Sequence, residues 1–176
     1  MKNGCSIEEE FHEGDWASFE KIALPYKDAL VNFAFYKTGN LQDAQDLVQE
    51  AYLLLYKKRK KVKVRDAKTY LFSCVHNLCR NLYKKKKETT MPVEMLEQME
   101  THGMEDLELK QDLMNALRTL KPDVQSILLL RFFGDHSLCE IAAILRLKEG
   151  TVKSRMFYGF INLRSKMKGY LTEEWK

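Results

Sequence analysis

SLCEIAAILRLKEGTVKSRMFYGFINLR, residues 137–164, contains two apolar-periodic stretches separated by a short polar turn. Ser137 and Glu140 have the spacing of a capping box, which predicts a helix beginning at Leu138. The first stretch ends at Leu145, Arg146 to Lys148 form the turn, and a longer helix is expected from Glu149. Helix, tight turn and longer helix make a helix-turn-helix, whose second helix enters a major groove N-terminus first. Helical spacing puts Val152, Met156, Phe160 and Leu163 on the inward side. It leaves Thr151, Lys153, Ser154, Arg155 and Tyr158 toward the outer face. Hydroxyls, two cations and a phenol suit phosphates and base edges. A plain helical hairpin is the alternative. The box Glu140-Ile141-Ala142, followed by Gly150 through Arg155, weighs against it.

Outward from this motif the chain continues to read as helix. Two further helices are expected over about 105–120 and 122–133, with Pro122 in a first turn, where it is tolerated. Before them, residues 88–104 lose periodicity and carry Pro92, Gly103 and scattered glutamates, which reads as a linker. A short amphipathic turn around Met95 and Leu96 is expected within it. The sequence thus predicts an all-α protein of two small helical domains, 1–87 and 105–176.

In the first domain, Asp15 is positioned to cap a helix running to about Lys37. Phe19, Ile22, Ala23, Tyr26, Leu30, Phe33 and Ala34 are expected inward, and Pro25 kinks or splits the helix. Asn40 is the expected N-cap of a second helix, about 41–59, with Ala44, Leu47, Val48, Ala51, Leu54 and Leu55 as its apolar stripe. Opposite lie Gln45, Asp46, Gln49 and Glu50, together with Leu53 and Tyr56. Apolar anchors ringed by charge are the make-up of an interface centre, and an ordinary solvated face carrying one stray leucine is the alternative. A third helix, about 66–86, has Ala67, Tyr70, Leu71, Cys74, Leu78 and Leu82 inward. Its other face collects Thr69, Phe72, His76, Arg80, Tyr83 and Lys87. Aromatics interleaved with cations suit single-stranded DNA, because bases stack on rings while cations hold phosphates. For Phe72 the competing expectation is packing against a neighbouring helix.

Charge is distributed in blocks. Residues 57–87 hold thirteen Lys or Arg against one acid, Asp66, whereas 88–125 hold nine acids against three bases. The last 51 residues hold nine bases against five acids, and two basic blocks separated by an acidic one suggest two anion-binding surfaces, with solvated lysine on helix faces as the alternative. No run of about 18 apolar residues suggests a membrane span. The acidic start, Glu8 to Glu10, lacks the apolar core of a signal peptide. A cytoplasmic protein is expected, with reduced cysteines.

Catalytic and metal readings find no residues to rest on. Cys74 and His76 project roughly 160° apart on a helix and cannot converge on one ion. His76 and Cys79 share a face, but two ligands are not a site. Cys139 is expected to fill the core of the helix-turn-helix. His12, His102 and His136 lie in polar or turn contexts with no paired nucleophile. No phosphate-binding glycine loop occurs, so neither a cofactor, a metal nor an enzyme is expected.

The segment 138–164 closely resembles region 4 of sigma-70-type factors of the extracytoplasmic-function (ECF) group, through Glu140-Ile141-Ala142, Gly150 to Arg155, and Leu163-Arg164. Ala116 to Leu120 resembles the helix before that motif. Asp43 to Glu50, DAQDLVQE, resembles region 2.2, which docks on the polymerase clamp. The third helix resembles regions 2.3 and 2.4. The resemblance implies an alternative sigma factor that directs core RNA polymerase to promoter DNA, with an anti-sigma protein as a further partner. Thr151, Lys153, Ser154, Arg155 and Tyr158 would contact the upstream (−35) element. Phe72, His76, Asn77, Arg80, Tyr83 and Lys84 would contact the downstream (−10) element, with the loop Lys60 to Arg65 at the edge of a flipped-base pocket. Asp43, Asp46, Gln49, Glu50 and Leu53 would bind polymerase. The chain departs from the family at Lys148, where a serine-like cap is usual, and at Phe157-Tyr158-Gly159, where an arginine-alanine pair is usual. A stand-alone regulator using the same helix-turn-helix is the competing reading; it would need neither the DAQDLVQE helix nor the basic third helix.

Overall fold

In a computed structural model of the chain, residues 7–88 and 107–167 are described, except for the side chains of 86–88 and 107–111. The described residues are mostly helical and include no strand. They fall into two compact units, one within 1–95 and the other within 96–176. The turn expected around Met95 and Leu96 lies outside the described residues.

The first unit begins with a helix that the sequence reading did not anticipate, α1 (Ile7–Glu13), followed by α2 (Trp16–Ala23). Asp15 caps α2 as expected, its carboxylate accepting from the Ser18 amide at 2.8 Å. Pro25 falls in a single 3-10 turn, Leu24–Tyr26, so the expected long helix is split, and α3 (Lys27–Thr38) follows. Asn40 caps α4 (Leu41–Lys58), its side chain accepting from the Asp43 amide at 2.9 Å. After two more 3-10 turns, α5 (Ala67–Glu88) completes the unit.

The core lies where α3, α4 and α5 pack on one another. Leu30, Phe33, Ala34, Ala44, Val48, Ala51, Leu55, Leu71, Phe72 and Val75 are buried there. Tyr26, Leu47 and Leu54, expected inward, are only half-buried. On α5 the expected inward face is rotated. The buried line is Ala67, Leu71, Phe72, Val75 and Cys79, whereas Tyr70, Cys74, Leu78 and Leu82 are half-buried. Two neighbours, α3 and α4, flank α5 and cover a wide arc of it. Phe72 turns into that arc and meets Phe33 edge-on, centroids 5.7 Å apart.

The second unit comprises α6 (Leu107–Arg118), α7 (Pro122–Phe132), α8 (Leu138–Leu145) and α9 (Glu149–Lys166). Ser137 and Glu140 form the expected capping box: the serine hydroxyl accepts from the Glu140 amide at 3.2 Å, and the Ser137 amide donates to the Glu140 carboxylate at 2.8 Å. Arg146 closes α8 in the left-handed region, φ 56°. That conformation costs a non-glycine residue roughly 1 kcal/mol and makes the turn sharp. His136, expected in a polar turn, is fully buried.

Along α9 the inward line is Val152, Met156, Gly159 and Leu163. Phe160, expected inward, is 39% exposed and packs edge-on against Phe132 at 5.4 Å. Gly159 explains the difference. A Cβ there would lie 2.6 Å from Val124 Cγ1 and 3.3 Å from Leu128 Cδ1, so α7 and α9 approach too closely for a side chain. Gly159→Ala therefore sets about 1 kcal/mol of gained helix propensity against an overpacking cost of about 1–3 kcal/mol. A net loss of stability is expected, visible as a lower Tm in thermal denaturation followed by circular dichroism. An unchanged or raised Tm would contradict the close-approach account.

Candidate nucleic-acid and polymerase interfaces

The recognition-helix candidate, α9, starts at Lys148 without a side-chain cap hydrogen bond. Lys153, Ser154 and Tyr158 are exposed, and Thr151 and Arg155 are half-buried. Arg155 leans off the outer face toward α7, where its Nη1 donates to Asp123 Oδ2 at 2.7 Å. The pair is solvent-accessible, so it contributes roughly 0–1 kcal/mol. It can exchange one anion for another without loss of a buried charge. Phe157, which the sequence reading left out, is 61% exposed and stands edge-on to Tyr158. Its offset of three residues from Ser154 was the available signal. No Cβ contact within 4 Å surrounds Gly150, so the backbone at the start of α9 is open to close approach.

On α5, Asn77, Arg80, Tyr83 and Lys84 are exposed, with Tyr83 at 69%, and His76 is half-buried beside them. Phe72 does not join this face. It is a core residue at 0% exposure, and the expectation of a base-stacking Phe72 is corrected accordingly. The loop before α5 presents Lys60, Lys61, Lys63 and Arg65, all exposed.

On α4, Asp46, Gln49, Glu50 and Leu53 are exposed and Asp43 is half-buried. Leu53 is 60% exposed, and Gln42 donates to Asp46 at 3.0 Å. Trp16 on α2 was also missed. Its indole is 61% exposed, stacks on Phe19 at 5.4 Å, approaches Tyr56 at 6.3 Å, and donates from Nε1 to Glu20 at 2.8 Å. A large ring held in one rotamer beside the α4 face loses little entropy when covered.

The cysteines separate by environment. Burial pushes the Cys79 thiol up to about 12, with Lys37 opposing the shift. Burial also raises Cys74, opposed by a hydrogen bond with Tyr70. Cys139, expected in the core, is exposed, because α8 turns that position away from α9. Among the described residues no group of three His, Cys, Asp or Glu is arranged to hold a metal, and no helix is long and apolar enough to cross a membrane.

Comparisons with known proteins identify a family for both parts of the chain. The profile of Sigma-70 region 2 matches residues 22–89, and that of Sigma-70, region 4 matches residues 110–159. The RNA polymerase sigma-E factor of Streptomyces coelicolor is 30% identical over 161 residues, covering 88% of each chain. The ECF RNA polymerase sigma factor SigW of Bacillus subtilis is 28% identical over 172 residues, covering 89% of this chain and 92% of SigW. Among solved structures, the sigma factor RpoE of Bartonella quintana, in complex with the anti-sigma factor NepR, superposes with TM-score 0.73 at 25% identity. That match covers 87% of this chain and 98% of RpoE. The chain belongs to the sigma-70 family of RNA polymerase sigma factors, in its ECF group. Members of that family direct RNA polymerase to promoters and are not enzymes.

The thiol environments set a reactivity order, since the thiolate is the nucleophile. Brief N-ethylmaleimide treatment followed by peptide mapping is expected to label Cys139 and leave Cys79 unmodified until denaturant is added. Equal labelling of both in the native protein would contradict the placement of Cys79.

Proposed function

We propose that the unit within 1–95 binds core RNA polymerase and opens the downstream element, while the unit within 96–176 grips the upstream element as duplex. The exposed outer line of α9 carries this reading: Lys153, Ser154, Phe157 and Tyr158, with Thr151 and Arg155 at its edges. Hydroxyls and cations supply groove-edge and phosphate contacts, and the two rings supply apolar contact with bases. On α5 the proposed strand-binding face is His76, Asn77, Arg80, Tyr83 and Lys84, with Tyr83 as the stacking ring. Polymerase docks on Asp46, Gln49, Glu50 and Leu53 of α4, with Asp43 at the edge and Trp16 alongside. The protein acts in the cytoplasm, with its polymerase. Because the Bartonella relative is seen with an anti-sigma factor, an anti-sigma protein is proposed as a partner here.

The deciding experiment is titration of the labelled full chain with purified core polymerase, without DNA. One-to-one binding is expected. No binding, with duplex binding retained, would favour a stand-alone regulator. Within the complex, Glu50→Lys or Asp46→Lys is expected to weaken polymerase affinity at least severalfold and leave duplex binding unchanged. Arg155→Ala is expected to cost about 1–3 kcal/mol in upstream-element affinity, measured on duplex DNA at fixed salt. Loss of downstream opening instead, with duplex affinity intact, would reverse the assigned division between the two units.

A further inference from the structure

Helix α1 lies outside the matched region 2, which begins at residue 22, and none of the faces assigned above includes it. It is short and acidic, with Glu8, Glu9 and Glu10 in its first turn. Seven residues do not hold a helix by local propensity alone, so tertiary contacts must hold it. Phe11 is fully buried and stacks on Phe19, centroids 6.1 Å apart and planes within 13°. Glu10 accepts from the Ser18 hydroxyl at 2.8 Å, which ties α1 to α2.

Two further hydrogen bonds reach about fifty residues along the chain, to the basic loop between α4 and α5. His12 Nε2 lies 3.1 Å from the Val62 carbonyl oxygen. A carbonyl can only accept, so this nitrogen carries the proton in the bond. The Val64 amide donates to Glu8 Oε1 at 3.3 Å. Two backbone groups on either side of Lys63 are thus held by one short helix. Between them the chain is extended, with φ −104°, ψ 119° at Val62 and φ −68°, ψ 142° at Lys63. Lys61 ends one 3-10 turn and Arg65 lies in the next, so the extended step is Val62–Lys63 alone. The Val62 side chain is buried at 8% exposure, and Lys61 and Lys63 on either side of it are exposed, as is Arg65. The turn after α1 anchors the same loop at its start. Gly14, at φ 93°, leaves room for the Arg59 guanidinium, which a Cβ would meet at 2.8 Å. Arg59 in turn lies over the Tyr56 ring at 4.4 Å, and the Tyr56 hydroxyl donates to the Gly14 carbonyl at 3.3 Å.

We infer that α1 is a positioning clamp for the promoter-opening loop: Glu8 and His12 hold the extended Val62–Lys63 step between two 3-10 turns, which keeps Val62 buried and Lys61, Lys63 and Arg65 exposed to the displaced DNA strand. The inference rests on the reading of residues 60–65 as the edge of the downstream-element pocket. Holding a loop in its working shape before DNA arrives removes the ordering entropy that a free loop would lose on binding. The Glu8 carboxylate, bound to the Val64 amide, also brings negative charge next to the basic loop. A competing role follows from that charge: α1 as an acidic screen that repels DNA from the loop.

The test uses the full chain assembled with core polymerase on a promoter fragment that this holoenzyme transcribes, carrying 2-aminopurine in the downstream element. Fluorescence reports base opening, and core affinity and upstream-duplex affinity are measured alongside. Replacing Lys61, Lys63 and Arg65 together by Ala must reduce opening; if it does not, the loop is not at the pocket, and the reading beneath the inference fails. Given that reduction, His12→Leu and Glu8→Ala are each expected to lower opening roughly two- to tenfold, the range that loss of one hydrogen bond gives. Core affinity and upstream affinity are expected to stay unchanged. His12→Gln and Glu8→Gln, which keep a donor and an acceptor in reach, are expected to restore most of the opening. Thermal denaturation sets a temperature at which all four single variants are folded; should the Leu or Ala variant not fold, the Gln pair is compared with the native chain in hydrogen exchange at the Val64 amide, expected to stay protected. Unchanged opening in His12→Leu and Glu8→Ala, or an unprotected Val64 amide in folded native chain, overturns the clamp. Increased opening in Glu8→Ala overturns it in favour of the acidic screen.

Discussion

The edge-on contact between Phe72 and Phe33 governs the rotation of α5, and through it every residue that the helix leaves outside. A helix flanked by one neighbour buries a stripe; α5 is flanked by both α3 and α4, and its buried arc extends from Cys79 round to Phe72. Burying a phenylalanine side chain is worth roughly 1.5–3 kcal/mol, more than any exposed hydrogen bond on the opposite face can return. The core therefore decides, and the outer face is what remains: His76 at the margin, then Asn77, Arg80, Tyr83 and Lys84. One ring, Tyr83, is left for stacking where a pattern reading would count two.

A second close contact performs the same task in the other unit. Because Gly159 has no side chain, Val124 and Leu128 of α7 come up against the backbone of α9. The inward line then runs through Gly159, and its neighbour Phe160 is turned outward onto Phe132. The same approach brings Arg155 within reach of Asp123. The family departure at Phe157-Tyr158-Gly159 is thus one structural event: a glycine where two helices touch, and two rings exposed beside it.

Helix starts were legible in the sequence because they depend on local chemistry. Asp15, Asn40 and Ser137 each satisfy amides of their own helix within three residues, and Pro122 occupies a first turn. Helix rotation was less legible, because spacing gives the direction of an apolar stripe and not how many neighbours cover it. Hence Phe72 and Phe160 exchanged the sides expected of them, and Cys139 turned outward. Helix α1 was not legible at all. Its only buried residue among seven is Phe11, too few for periodicity, and the bonds from Glu8 and His12 end on a loop some fifty residues away. Of the candidate surfaces, the α4 face was read most completely, since an outward face opposite a strong apolar stripe follows from the stripe itself.

Four arginines lie against a partner side chain. Arg155 is paired with Asp123, Arg65 lies 3.7 Å from Asp66, Arg131 lies 3.6 Å from Asp135, and Arg59 rests on Tyr56. Lys60, Lys61, Lys63, Lys84 and Lys153 are exposed on the surfaces proposed to meet DNA, as are Arg65 and Arg80. Ammonium groups act as point charges toward phosphate, whereas guanidinium forks read base edges. The exposed lysines thus supply attraction that is independent of sequence and weakens with salt. To act in the proposed role, Arg155 must first exchange the Asp123 carboxylate for a base edge or a phosphate. That exchange costs little at an exposed pair, but it succeeds only where the incoming acceptor has matching geometry. Under the proposed function, α9 would combine both tasks, general attraction through Lys153 and discrimination through Arg155 once it leaves Asp123.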